Sequence, residues 1–499
     1  MEARGVRSRP STAEATPDDH GRAATVGAAR NVPNVADAGG HAPRGRHRRP
    51  RTVTRAGSRR ALDASPCDVG PLRRHLRGCV ALTVRLTVLT WMPPVQFTGW
   101  QWVALLLTAP VLGWGALPLY RSALAGVRRG TASPDLLVSL TVLTAVAASL
   151  RGLLTGAVGA PGYTHTVTLT AIWGGPSGAL YLEVVAILTT VALAVRLLAA
   201  ESRIPPHPDT DTWVAPAALH LAVGAGAFWS GSGAGPTGGV ELGLAVLVTA
   251  CPLARALAHP AAVLATTDAL RRRGMTVHGA DTTAILSRIT TVLIAGSGTL
   301  TGHHSRAGTG TAPGGPAAVA RLRGLGLDPV LLTGDPSDVA RAQGDLVGVD
   351  SVVAGLPPRA RAAAVHRMQA AGAVVAVIST NPADTPALAA ADLGIALAAD
   401  ARHVDAPGVV VRNGDPTAAV EALRLARCLP IVVRAARRWA AGVVCLAVPL
   451  AASGLLHPAV ALGAPLLGAA GVTAISQRLR GPSPEWSPAR PQPHQEERS

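Results

Sequence analysis

Val292-Leu293-Ile294-Ala295-Gly296-Ser297-Gly298-Thr299-Leu300-Thr301 sets a short branched apolar run against a turn of Gly, Ser and Thr. A run of that length, bounded by turn residues, predicts a buried strand, here over Ile289–Ile294. Three more such runs follow. Val330-Leu331-Leu332 ends in Thr333-Gly334-Asp335, and Val374–Ile378 and Leu393–Leu397 come after it. Helical stretches such as Ala360–Ala371 lie between them. Strands alternating with helices predict a parallel, doubly wound α/β sheet. On such a sheet the chemistry gathers at the carboxyl ends of the strands.

Outward from this block the chain becomes strongly apolar, with 48% hydrophobic residues overall. Apolar segments lie at approximately 76–95, 101–120, 134–156, 177–199, 212–230, 239–264, 436–456 and 458–477. Each approaches the roughly 20 residues that an α-helix needs to cross a bilayer. The prediction is an α-helical membrane bundle of about eight spans, with the α/β domain between the sixth and the seventh. Charge orients it. Arg121, Arg128, Arg129, Arg196, Arg203, Arg271, Arg272, Arg273, Arg478 and Arg480 fall in loops on one side, and Arg151 stands apart on the other. By the positive-inside rule this predicts an integral, multi-pass protein of the plasma (cell) membrane with both termini cytoplasmic.

The net charge of +17 is carried by arginine, since the chain contains no lysine. Chemistry that requires lysine is therefore excluded. Residues 1–72 are poor in apolar side chains and include Arg44-Gly45-Arg46-His47-Arg48-Arg49-Pro50-Arg51. That composition predicts a disordered cytoplasmic tail near anionic lipid headgroups. It holds no apolar core with a cleavage site, so no signal peptide is expected. Residues 481–499 form a second tail. The positive-inside rule accounts for the basic balance, and 3% aromatic residues leave few base-stacking surfaces. No nucleic-acid partner is expected. The five cysteines form no C-x-x-C pair, which suggests neither a zinc site nor a disulfide framework.

Further segments carry a family resemblance. They are Gln96-Phe97-Thr98-Gly99-Trp100-Gln101-Trp102, Asp135-Leu136-Leu137-Val138-Ser139-Leu140, Tyr181-Leu182-Glu183 and Ala250-Cys251-Pro252-Leu253-Ala254. In that order, and followed by Gly298-Thr299-Leu300-Thr301, they resemble the heavy-metal (copper-type) cation-transporting P-type ATPases over most of residues 76–480. The resemblance implies a cytoplasmic haloacid-dehalogenase-like (Rossmannoid) domain, ATP and Mg²⁺ as cofactors, and a soft metal ion as cargo. It also marks Cys251-Pro252-Leu253 as the family's C-P-C helix. There proline removes a backbone hydrogen bond beside the ligands, and thiolates bind the metal.

The same resemblance exposes departures. Ala295 stands where the family's phosphorylated Asp belongs. Ser297 lies nearby, but a seryl phosphate is a stable ester rather than a labile acyl phosphate. Thr333 and Asp335 fit T-G-D, and Arg361 replaces a phosphate-sensing Lys. In Ser379-Thr380-Asn381-Pro382-Ala383-Asp384, Thr380 replaces the magnesium-binding Asp and Ala383 an Asn, so Asp384 alone survives. Leu253 replaces the second Cys, leaving Cys251 as half a metal site or as an inert buried thiol. Arg255 adds a fixed cation near that site, with Glu183 as a partner or a wet cavity as its refuge. His259 is a satisfied polar residue. Pro134, Ala199 and Val443-Val444 depart from the family's metal-entry Met, its Glu and its Tyr-Asn. His303-His304 read as solvated.

Whole modules are also short. Residues 302–327 cannot hold a nucleotide-binding domain, residues 200–211 cannot hold an actuator, and no metal-binding domain is recognised in residues 1–72. The expected organisation is a tail (1–72), a six-span region lacking an actuator (73–270), a remnant phosphorylation domain lacking a nucleotide-binding insertion (271–432), two further spans (433–480) and a tail (481–499). Catalytic residues would then be vestigial: Ala295, Ser297, Thr333, Asp335, Arg361 and Asp384. Three functions fit. One is an inactive pseudo-ATPase that acts as scaffold or regulator, by self-association or beside an intact P-type ATPase. Another is residual metal binding or transport through the Cys251-Pro252 helix. The third is a product without a selected role.

Overall fold

The computed structural model describes residues 69–131, 133–155, 157–165, 180–202, 214–278, 282–296, 299, 314–397, 408–412 and 414–481. Ser297, His303, His304 and almost all of both tails lie outside them.

Seven strands form one sheet: β1 (Met275–His278), β2 (Thr291–Ala295), β3 (Asp328–Leu332), β4 (Ser351–Val353), β5 (Val375–Ser379), β6 (Leu393–Leu397) and β7 (Gly408–Val411). Their order is β1-β7-β6-β5-β2-β3-β4. All neighbours run parallel except β1, which is antiparallel to β7. The sheet is therefore mixed, where the sequence predicted a parallel one.

Alternation along each strand explains why the runs are apolar throughout. Val292 and Ile294 enter one core with Leu331, Ala376 and Ile378. Leu293 and Ala295 enter the opposite core with Val330, Leu332 and Val377. Side chains of a strand point alternately to the two faces, and both faces here are covered.

The helical part comprises α1 (Val69–Trp91), α2 (Trp100–Pro110), α3 (Leu117–Arg128), α4 (Pro134–Thr155), α5 (Leu182–Glu201), α6 (Val214–Trp229), α7 (Gly235–Thr249) and α8 (Leu253–Arg272) before the sheet. The long helix Pro416–Ala452 and the segment Pro458–Gln477 follow it. Among the described residues, four helical stretches are long and apolar enough to cross a membrane, one of them the 59-residue run Val214–Arg272 that holds α6, α7 and α8, or five if the pair α2–α3, bent by 50°, is one span. The sequence predicted about eight. Arg73, Arg74, Arg77 and Arg85 interrupt α1, and Pro416–Ala452 turns apolar only after Arg438. Leu106, Leu154, Phe228 and Leu446 are 66–72% exposed on these helices. Large apolar side chains left open in such numbers suit a lipid surround.

Close helix packing has a visible cause. A Cβ on Gly239 would lie 2.4 Å from the Gly226 carbonyl oxygen. Only glycine permits that approach between α6 and α7.

The loop joining α4 to α5 is pinned at its described end. Gln96 Oε1 accepts from the His165 amide (2.8 Å), and Gln96 Nε2 donates to the His165 carbonyl (3.1 Å). Trp100 Nε1 donates to the Tyr163 carbonyl at 2.9 Å. The His165 ring is buried, which, with the field of His457, lowers its pKa from 6.5 to about 4. The folded loop thus favours the neutral ring. Its stability is complete above the unfolded value and falls as pH drops from 6.5 towards 4. Protection of the amides in residues 157–165, taken against their intrinsic exchange rates at each pH, should fall across that window, and His165→Gln should remove the dependence.

Candidate functional site

Register brings the site together. Ala295 pairs with Leu332 on β3 and with Ser379 on β5. The turns after these three strands therefore leave the sheet side by side. Strand order reverses at β2, with β3 and β4 to one side and β5 and β6 to the other. That is the crevice where doubly wound sheets bind ligands.

Ala295 is fully buried at the tip of β2. Gly296 follows with φ +83°, a conformation that favours glycine. Its amide donates to the Leu332 carbonyl at 2.8 Å. A Cβ on Gly296 would lie 3.8 Å from Arg361 Nη1 and 4.0 Å from Asp384 Oδ2. Both charged groups therefore stand directly beyond the strand end.

Asp384 is buried and fully engaged. Arg361 Nη1 donates to Oδ1 at 2.5 Å, and Ser379 Oγ donates to Oδ2 at 2.6 Å. Arg361 comes from the first turn of the helix Pro358–Ala370, and its Nε donates to the Leu356 carbonyl at 3.3 Å. Ser379 Oγ also accepts from the Asn381 amide at 3.0 Å. Thr333, on the turn after β3, donates to Asp335 Oδ2 at 2.7 Å and accepts the Asp335 amide at 3.2 Å. Its hydroxyl proton is thereby turned into its own loop. Thr299 Oγ1 donates to the Ala295 carbonyl at 2.7 Å and lies 3.3 Å from Thr380 Oγ1.

The structure thus gathers Ala295, Thr333, Asp335, Arg361 and Asp384 at one edge of the sheet, while Ser297 lies outside the described residues. Sequence reading missed Ser379 and Thr299. Their signal was a hydroxyl residue at the end of β5 and another in the first turn after β2.

A magnesium ion wants several hard oxygen ligands. Here the one buried carboxylate, Asp384, has both oxygens committed to Arg361 and Ser379. Among the described residues no group of three His, Cys, Asp or Glu side chains is arranged to hold a metal. The residues present do not fit Mg²⁺.

In the bundle, Cys251 and Pro252 fall in the break between α7 and α8. Cys251 is buried among apolar neighbours. Asp135, whose field reaches it, lies 3.6 Å from Arg196. Both carboxylate oxygens of Glu183 are buried without a hydrogen-bond partner, so the pairing with Arg255 considered above is not formed. α8 runs from the break towards the sheet and carries Arg255 that way, whereas Glu183 opens α5 at the opposite end of the bundle.

A doubly wound sheet joined to apolar helices, with a break at Cys251-Pro252 between two of them, defines the class of this molecule. No protein-family model matches the chain. It is 38% identical over 168 residues to the cation-transporting P-type ATPase B of Mycobacterium bovis, covering 33% of this chain and 22% of that protein. It is 32% identical over 164 residues to the copper-exporting P-type ATPase of Staphylococcus aureus, covering 33% of this chain and 20% of that one. The chain therefore spans 20–22% of the length of these curated relatives. A zinc-transporting PIB-type ATPase crystal structure shares the fold, with a TM-score of 0.55 and 15% identity over 82% of this chain and 100% of that one. The similarity to these pumps is thus one of sequence over a third of this chain and one of fold over most of it.

Proposed function

We propose that this chain is a membrane-embedded pseudo-ATPase of the heavy-metal P-type class, acting as a scaffold or regulator rather than as a pump. The observation that carries the reading is the methyl group of Ala295 at the tip of β2, with Asp384 tied to Arg361 beyond it. Phosphorylation needs a nucleophilic carboxylate at that tip and a metal to screen the phosphates. The short intervals at residues 302–327 and 200–211 support the same reading, because nucleotide delivery and dephosphorylation would each need a domain there. The bilayer would be its medium, with both termini cytoplasmic, and its partner an intact P-type ATPase or a second copy of itself.

The test is incubation with labelled ATP in the presence of Cu, Zn or Co salts. No acid-stable, hydroxylamine-sensitive phosphoprotein should form, and one that does form would overturn the reading. The scaffold role predicts co-purification with an intact heavy-metal pump, lost when the helical segments are exchanged.

One observation favours a second reading. The helix is broken at Cys251-Pro252, and a break of this kind frees carbonyls beside a thiol for a soft ion. Metal content of the purified protein should then drop in Cys251→Ala. Equal Cu, Zn and Co content in both proteins would remove that reading.

A further inference from the structure

The helix Pro416–Ala452 leads from the sheet into the bundle, and its middle carries positive charge that no described residue answers. It packs against α7, α8 and the segment Pro458–Gln477. Leu429, Val433, Ala436 and Ala440 are buried on the packed side. Arg434, Arg437 and Arg438 stand away from that side and are exposed. Arg434 and Arg438 begin an i, i+4 row that continues through Gly442 to Leu446, also exposed. A Cβ on Gly442 would meet nothing within 4 Å. The row is therefore a charged head, an open notch and an apolar foot.

Acids at this end of the bundle are already held by other arginines. Arg272 and Arg480 lie 2.8 and 3.1 Å from Asp268, and Arg424 and Arg273 lie 2.8 and 3.6 Å from Glu421. Among the described residues no acid pairs with Arg434, Arg437 or Arg438. A guanidinium cannot shed its charge by losing a proton. A second copy of this face would bring like charges together, which disfavours self-pairing.

Length places the three arginines at a lipid boundary. The helix rises roughly 21 Å from Arg438 to Ala452 and roughly 27 Å from Arg434 to Ala452. A bilayer's hydrocarbon core is about 30 Å thick. The apolar half is thus short for that core, which draws flanking arginines to its edge, where lipid phosphates lie. Trp439 sits at the same level. Its Nε1 donates to the Leu467 carbonyl at 3.4 Å, and its ring lies over Gly471, where any Cβ would collide with it. Tryptophan favours this boundary, with its ring among the headgroups.

We infer that Arg434, Arg437 and Arg438 form a headgroup site for an anionic phospholipid of the leaflet nearest the sheet, with an acyl chain laid over Gly442 and Leu446. Guanidinium groups grip phosphate oxygens through paired N–H donors. A lipid also brings the apolar body that suits the notch and the open Leu446.

Native mass spectrometry of the full chain tests this, after delipidation in detergent and titration with phosphatidylglycerol or phosphatidylcholine. One phosphatidylglycerol should be retained in preference to phosphatidylcholine. Arg434→Gln with Arg438→Gln should weaken its binding roughly thirtyfold, the loss expected for two basic contacts. Arg434→Lys with Arg438→Lys should keep most of it, and Arg128→Gln with Arg129→Gln, at the end of α3, should leave it unchanged. Were the glutamine pair to misfold, fluorescence decides. Brominated phosphatidylglycerol should quench the emission that Trp439→Phe removes more strongly than brominated phosphatidylcholine does. Equal retention of the two lipids, equal quenching by them, or full affinity in a folded glutamine pair would overturn the site. So would displacement of the lipid by inorganic phosphate beyond that caused by chloride at the same ionic strength, which would make the ligand a free anion.

Discussion

Ala295→Asp should not regain the ability to form an aspartyl phosphate. The substitution restores the missing carboxylate but none of its setting. The new side chain would enter beside Asp384, whose Oδ2 lies 4.0 Å from a Cβ placed on the next residue, Gly296. Two carboxylates would then compete for Arg361, and like charges that close disfavour joint ionisation. Thr380 and Ala383 supply no carboxylate for Mg²⁺, and no nucleotide domain is recognised between Thr301 and Asp328. Ala295 is also fully buried. Inserting a larger polar group at such a site costs about 1–3 kcal/mol in packing alone. The variant should therefore unfold earlier than the parent and remain unlabelled by ATP. A hydroxylamine-sensitive label in it would mean that the delivery machinery survives and that the pseudo-ATPase reading fails.

Asp384→Ala should be among the most destabilising single changes in the sheet domain. Arg361 and Asp384 have side-chain exposures of 5% and 0% and meet at 2.5 Å. Removing the carboxylate strands a guanidinium that cannot lose its proton. Breaking a buried pair from one side costs about 3–5 kcal/mol. It also frees Ser379 Oγ, which now donates to Asp384 at 2.6 Å. Replacing both partners, as Arg361→Leu with Asp384→Leu, should recover most of that loss, because the desolvation of both charges disappears as well. Denaturant unfolding of the full chain in detergent, read as a double-mutant cycle, measures the coupling. A single-variant cost below about 1 kcal/mol would show that water reaches the pair, as at a surface bridge.

The parts of the fold legible in the sequence were those with one dominant physical signal. β2, β3, β5 and β6 are runs of branched side chains buried on both faces, and they read as strands. β1 mixes Thr276 and His278 with apolar residues and β4 is only Ser351–Val353, so neither carries such a signal; β7 carries one in Val409-Val410-Val411, buried throughout, and sequence reading missed it. The antiparallel pairing of β1 with β7 depends on where the chain enters and leaves the sheet, which no local pattern encodes. At the site, Gly298-Thr299-Leu300-Thr301 fixed the register and so placed Ala295. The two contacts of Asp384, with Arg361 and Ser379, were not legible, because they form only once the turn after β5 meets the helix Pro358–Ala370.

The pairing of β1 with β7 has a mechanical meaning. Met275, just after α8, faces Val411, just before the helix Pro416–Ala452. The strand entering the domain and the strand leaving it are thus zipped together, four residues on each side. The outgoing helix has 37 residues and runs on into the bundle, roughly 55 Å as a single rod. Two independent ropes would let the domain swing, whereas a zipped pair feeding a rod passes on torque. Under the pseudo-ATPase proposal, such a coupling would serve as a handle by which a neighbour turns the bundle.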